Sequence, residues 1–185
     1  MKSSTQNLLV FCGIVVLILA GITFSLRSQF VSSSMTITSS AFDDNGDIPS
    51  KYTCDGANIS PPLTISNLPK KTRSVVVSVY DQDVPRGGFV HWVVYNVDSR
   101  TTNFEEGEVP MDSAIGLNSA NHDAYDGPCP PAGKKHRYLF TAYAVSNVYK
   151  FVNPPDLAKL KKVMRWQVLG SAQMTGKYAK ATSAE

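Results

Sequence analysis

Apolar positions in this chain alternate with polar ones in short, β-branched runs, and they repeat at helical spacing only once with clear signals at the ends. The run Arg73–Asp81, RSVVVSVYD, places Val75, Val77 and Val79 on one face of an extended segment. Phe89–Val97, FVHWVVYNV, and His136–Val145, HRYLFTAYAV, read as two further strands. Met35–Phe42 partly alternates and opens the domain, and Val168–Tyr178 closes the sheet. Between them lie Gly- and Pro-rich loops, DDNGDIPSKY, CDGANISPPL and DGPCPPAGKK. The helical pattern is NPPDLAKLKKVMRWQV, with Asn153 as its cap, Pro154 in its first turn and Leu157, Leu160 and Met164 on its apolar face. Lys159 and Lys162 face away from that stripe, and Lys161 falls at its edge, from where it can reach outward. The pattern predicts a mainly β domain with one or two helices near the C-terminus.

The N-terminus breaks this pattern. Leu8–Phe24, LLVFCGIVVLILAGITF, is almost continuously apolar, and no charge falls between Lys2 and Arg27. A segment apolar all round does not suit the surface of a soluble core. Its length exceeds the core of most signal peptides and approaches what spans a bilayer. It reads as a transmembrane anchor or a long export signal. The lack of an Ala-x-Ala site after it favours the anchor, and bulky Phe11 before Cys12 argues against a lipoprotein site. Lys2 and Arg27 flank the run almost evenly and leave its orientation open. Residues 1–34 are thus expected to be an anchor or signal plus a serine-rich linker, and residues 35–185 one exported domain, periplasmic and held in the inner membrane by that segment, or secreted after its cleavage.

Composition adds little to this division. Of 185 residues, 43% are hydrophobic and 18% charged, as in an ordinary globular domain. The net charge of +3 falls to +1 without Lys2 and Arg27, and no basic cluster is interleaved with aromatics, so nucleic acid is not an expected partner. Beyond Cys12, Cys54 and Cys129 both lie in Gly- and Pro-flanked loops. In an oxidising compartment they could pair; otherwise they are two unrelated buried thiols. No CxxC, HExxH or GxSxG motif occurs, and no metal or cofactor is expected.

Polar residues interrupt the apolar runs at strand ends. His136 and Tyr138 share a face by strand parity, with Arg137 on the other, and Asp81 and Asp83 share one if the chain stays extended as far as Pro85. His91 begins the strand that follows. If the three strands are neighbours, Asp81, His91, His136 and Tyr138 line one pocket. A carboxylate beside an imidazole holds the ring's proton, and two imidazoles and a phenol then offer donors to an anion. Taken singly, each residue has a plainer reading as turn chemistry or packing. His122, in NSANHDAYDG, reads as a surface loop histidine, and Ser60, before Pro61 and Pro62, as a turn residue.

YDQDVPRGGFVHWVVYNV and GPCPPAGKKHRYLFTAYAV resemble the two signature blocks of the phosphatidylethanolamine-binding protein family, D-P-D-x-P with its histidine strand and G-x-x-H-R-Y. YTCDGANISPPLTISNLP, Tyr52–Pro69, further resembles the bacterial YbhB/YbcL branch, the Raf kinase inhibitor-like proteins. The likeness runs from about Met35 to Tyr178. It implies a Greek-key β-sandwich and a small anion-binding pocket formed by Asp81, Asp83, Pro85, His91, Pro130, His136 and Tyr138. Gln82 stands where the family has proline between the two aspartates, which loosens that loop without removing a polar group. PRGGF is a shorter approach to the histidine strand than in animal members and implies different pocket access.

The resemblance implies a non-catalytic protein that binds a phosphate-containing or zwitterionic ligand such as a phospholipid head group, with a regulatory role as a further expectation and no protein partner identifiable. The alternative is a phosphoester hydrolase, metal-dependent or not, built on the same His and Asp residues.

Overall fold

The computed structural model describes residues 34–101 and 103–182. The expected N-terminal helix lies outside them. Among the described residues, no helix is long and apolar enough to cross a membrane.

Among the described residues, eight strands form two antiparallel sheets. The smaller contains β1 (Thr36–Thr38), β2 (Leu63–Ser66) and β5 (Asn103–Phe104), in the order β1-β2-β5. The larger contains β3 (Ser74–Asp81), β4 (Phe89–Asp98), β6 (Ala114–Ile115), β7 (Lys135–Val145) and β8 (Val168–Ala179), in the order β6-β4-β3-β7-β8. The five long runs read from the sequence are therefore strands, but the first is only three residues long, and the short strands β2, β5 and β6 were not foreseen. With two to four residues each, they carry too little alternation to stand out.

β3 occupies the centre of the large sheet, and both its faces are covered. Val75, Val77 and Val79 join Ile37, Leu63, Ile65, Phe104 and Phe140 in a core shared by the two sheets. Val76, on the opposite face, packs with Val93, Tyr95, Leu157, Leu160 and Met164 beneath the helix. Burial on both sides explains why β3 reads as an unbroken valine run rather than strict alternation.

The helix α1 (Leu157–Met164) begins later than its sequence pattern implies. Its cap is Asp156, not Asn153: the Asp156 side chain accepts the Lys159 N–H at 2.6 Å. Pro154 and Pro155 bring no N–H, and the Pro155 carbonyl accepts the Leu117 N–H at 2.9 Å, so this segment stays outside the helix. Leu157, Leu160 and Met164 are buried as the spacing requires, and Lys161 is fully on the exposed side.

Candidate functional site

The neighbouring strands β3, β4 and β7 bring the polar interrupters together. Asp81, the last residue of β3, is paired with Phe89 of β4 on one side and Tyr138 of β7 on the other. His136 lies two residues before Tyr138 and faces the same way. Its Nδ1 is 2.7 Å from Asp81 Oδ2, and both residues are more than nine-tenths buried. The other Asp81 oxygen accepts the Asp83 N–H at 2.8 Å.

His91 reaches the same face through an irregularity in β4. Val79 is opposite Trp92, but Tyr80 is opposite Val90, so the register shifts by one and His91 has no partner across the ladder. Strict alternation would send His91 towards the helix with Val93 and Tyr95. The bulge instead turns it to the side of Trp92 and Phe89. There its ring meets the edge of Tyr138 at 5.3 Å and the Phe89 ring at 4.8 Å.

A loop then fixes the His91 ring. The Asp126 N–H donates to the His91 carbonyl at 3.0 Å, and His91 Nδ1 lies 2.6 Å from the Asp126 carbonyl, to which it donates. Burial pushes the His91 imidazole below the usual histidine value, against the opposing pull of the Asp126 carbonyl and the Asp81 charge. The ring is therefore neutral at pH 7, with its proton on Nδ1 and a lone pair on Nε2. This differs from the expectation that both imidazoles donate.

The loop itself is tied down at three points. The Cys54 N–H donates to the Pro128 carbonyl at 3.1 Å, and Cys54 and Cys129 form a disulfide with their Cα atoms 5.4 Å apart. The Gly127 N–H donates to Asn58 Oδ1 at 2.8 Å. A Cβ on Gly127 would come within 2.7 Å of the Tyr52 carbonyl oxygen, so only glycine allows this approach.

The result is a pocket of about 360 Å3. Asp81, His91 and His136 form its polar side; Val84, Phe89, Pro130, Pro131 and the disulfide form much of the rest. Asn58, Asp126 and Gly127 complete it. Neither His91 Nε2 nor His136 Nε2 has a protein hydrogen-bond partner among the described residues.

Three expected members stand elsewhere. Asp83 is not on the Asp81 side, because the strand ends at Asp81 and the chain turns. It instead grips Arg137, accepting from Nε at 2.9 Å and from the backbone N–H at 2.8 Å, and this guanidinium holds its carboxyl below the usual range. Pro85 lies in the same turn but does not line the pocket, whereas its neighbour Val84 does. Tyr138 is completely buried beneath His91 rather than exposed in the pocket. Its hydroxyl has no hydrogen-bond partner among the described residues, and burial, followed by the Asp81 charge, raises its pKa well above the ordinary value.

Asn58, Val84, Phe89, Asp126, Gly127 and Pro131 were missed by sequence reasoning. A Cys54–Cys129 bond was the available signal, since it carries Asn58 and Asp126 to one place. His122 is exposed as expected, and its Nδ1 lies 2.9 Å from Asp126 Oδ2, at the back of the loop residue that holds His91. Ser60 is buried, and its carbonyl accepts the Gly107 N–H.

A family model of the phosphatidylethanolamine-binding proteins matches residues 38–179. A UPF0098 protein of Methanothermobacter thermautotrophicus is 38% identical over 149 residues, which is 78% of this chain and 98% of the relative. Among solved structures, CT736 of Chlamydia trachomatis, a phosphatidylethanolamine-binding protein homologue, is 39% identical with a TM-score of 0.75 over 80% of this chain and 98% of that one. YbcL of E. coli, described as a new member of the mammalian PEBP family, is 26% identical with a TM-score of 0.74 over 80% of this chain and 99% of YbcL. By the extent of these matches, and by the strand-end histidines and aspartate that its two signature blocks carry, the chain belongs to the phosphatidylethanolamine-binding protein family.

Proposed function

We propose that the pocket binds the phosphate group of a small phosphorylated or zwitterionic compound and does not turn it over. One observation carries this reading: the Nδ1 atoms of both His91 and His136 are engaged by protein acceptors, which leaves both Nε2 edges for a ligand. Phe89, Val84, Pro130 and Pro131 supply apolar walls for an organic group attached to the phosphate. The buried, neutral His91 favours a ligand that brings its own proton. A phosphate monoanion can donate its P–OH to the His91 lone pair; a dianion requires the ring to take up a proton first. Affinity accordingly falls as pH rises from about 5 to 8.

Among the described residues the pocket offers no thiol or serine hydroxyl to an ester, since its two cysteines are bonded to each other and no serine lines it. This favours binding over hydrolysis. The disulfide and the apolar Leu8–Phe24 run favour an exported domain held at a membrane, and the core shared by both sheets favours the Greek-key sandwich.

Thermal shifts of the full-length chain test the reading. Phosphate or phosphoethanolamine is expected to stabilise it, and His136→Ala and His91→Gln to remove that response. Stabilisation by zinc or iron together with turnover of a phosphoester would replace the binding function with a hydrolase.

A further inference from the structure

The pocket lies at one end of the large sheet, where β3 finishes at Asp81 and β7 begins. The opposite end carries a different kind of surface. There the Arg73 N–H donates to the Val145 carbonyl and the Ser146 N–H to the Gln167 carbonyl, which gathers the start of β3, the end of β7 and the α1–β8 connection. Trp166 is 85% exposed and Val152 fully so, and Val163 and Leu169 are also open to solvent. Helical spacing puts Lys159, Lys162, Val163 and Trp166 on one outward stripe, since Arg165 keeps helical backbone angles after Met164. Lys159 Nζ sits 5.3 Å over the Phe151 ring, which places Val152 beside this stripe, and the Arg165 guanidinium lies 4.8 Å from the Trp166 ring.

Basic side chains concentrate in two segments at this end of the sheet. Residues 70–73 carry three basic side chains and residues 150–165 carry five, with Asp156 the one acidic residue in either segment. The remainder of residues 35–185 carries eight basic and fourteen acidic side chains. The near-neutral total thus conceals a cationic patch on the β7 and α1 side of this end, while Asp98, opposite Ser74, and the nearby Glu105, Glu108 and Asp112 lie on the β4 side.

The chain also enters the domain here. The Ser34 carbonyl accepts from Asn67 Nδ2 at 3.4 Å, and Pro69, two residues on, packs against Gly170, next to Leu169. Ser34 follows Phe24, the end of the apolar run, by only ten residues.

We propose that this end, centred on Trp166, docks on the surface of an anionic lipid bilayer. Indole is at home at the headgroup level, and the aliphatic side chains can enter the acyl boundary. The surrounding cations are drawn to anionic lipid. Eight residues of β3 separate the two ends, so docking holds the pocket roughly 25 Å from the lipid surface and turns it towards the aqueous phase. The docking rests on no assumption about the pocket ligand.

The protein has two tryptophans, and Trp92 is buried, so a neutral quencher such as acrylamide reports mainly on Trp166. The full-length chain is reconstituted with phosphatidylcholine vesicles, alone or with about one-third phosphatidylglycerol. Quenching is expected to fall at least about fivefold on the anionic vesicles, to recover at high salt, and to stay high in a K161E/K162E/R165E variant. Equal quenching on both vesicles, or protection that persists in the triple variant, overturns the proposal. Protection that grows with protein concentration without lipid overturns it in favour of a second copy of this chain.

Discussion

Oδ2 of Asp81 receives Nδ1 of His136 across 2.7 Å, on the ends of two adjacent strands, with almost no solvent around either residue. The same carboxylate takes the Asp83 N–H on its other oxygen. Asp81 thus sets the direction of the imidazole and also the turn by which the chain leaves β3. The proposed site would thus depend on this carboxylate even though a ligand would meet the histidines.

Asp81→Asn leaves one oxygen for two donors and turns an NH2 towards whichever is left over. The substitution is expected to cost about 1–3 kcal/mol of stability, with loss of the phosphate response. Urea unfolding checks the first part and a phosphate titration the second. A stability change within about 0.5 kcal/mol would mean that the pair does not organise the strand ends.

The folded protein holds the His91 pKa below its unfolded value near 6.5. The unfolded chain therefore binds more protons as the solution is acidified through that value. The His91 contribution to stability is fully present above about pH 6.5 and is lost as pH falls towards its folded pKa. His91→Gln should flatten this part of the stability–pH curve. An unchanged slope between about pH 6.5 and 5 contradicts the assignment.

The Cys54–Cys129 bond closes a segment with a sequence separation of 75 and joins two loops that wall the pocket. On the chain-entropy view its removal costs about 4 kcal/mol. Replacing both cysteines by serine is expected to lower the melting temperature and to weaken phosphate binding, because the Asp126 loop is released. Unchanged affinity in a protein that still folds would separate the bond from the site.

Gly127→Ala tests the same loop without removing a polar group. The new Cβ would lie 2.6 Å from Asn58 Oδ1 and 2.9 Å from Thr53 Cα, and the backbone atoms among its neighbours cannot swing aside. About 1–3 kcal/mol is expected to be lost as the loop shifts, together with the hold of the Asp126 carbonyl on His91. A full-strength phosphate response in this variant would show that the pocket does not need that hold.

The parts of the site visible in the sequence are those that obey strand periodicity. His136, Tyr138 and Asp81 fall on one face because β3 and β7 pair in register from Ser74–Val145 to Asp81–Tyr138. His91 reaches them for a reason the pattern hides: β4 is apolar on both faces around Trp92 and Val93, so one extra residue leaves no trace in its alternation. Asp83 misleads in the opposite way, because an Asp-x-Asp spacing carries information about faces only while the strand continues. Asp126, Asn58 and Gly127 come from loops whose position depends on the disulfide and on long-range hydrogen bonds. Pro154 and Pro155 mark a boundary, but which of Asn153 and Asp156 caps α1 depends on how the Pro155 carbonyl meets Leu117.

The central claim is that the free ring edges of His91 and His136 receive one phosphate group. The protein has three histidines, so the 15N resonances of their rings can be followed one by one during a phosphate titration at pH 6. The account predicts that Nε2 of His91 and of His136 move together and saturate at the same phosphate concentration, while exposed His122 follows only the weak drift of a surface residue. Stationary Nε2 signals for both buried histidines, or a saturating response confined to His122, would contradict it.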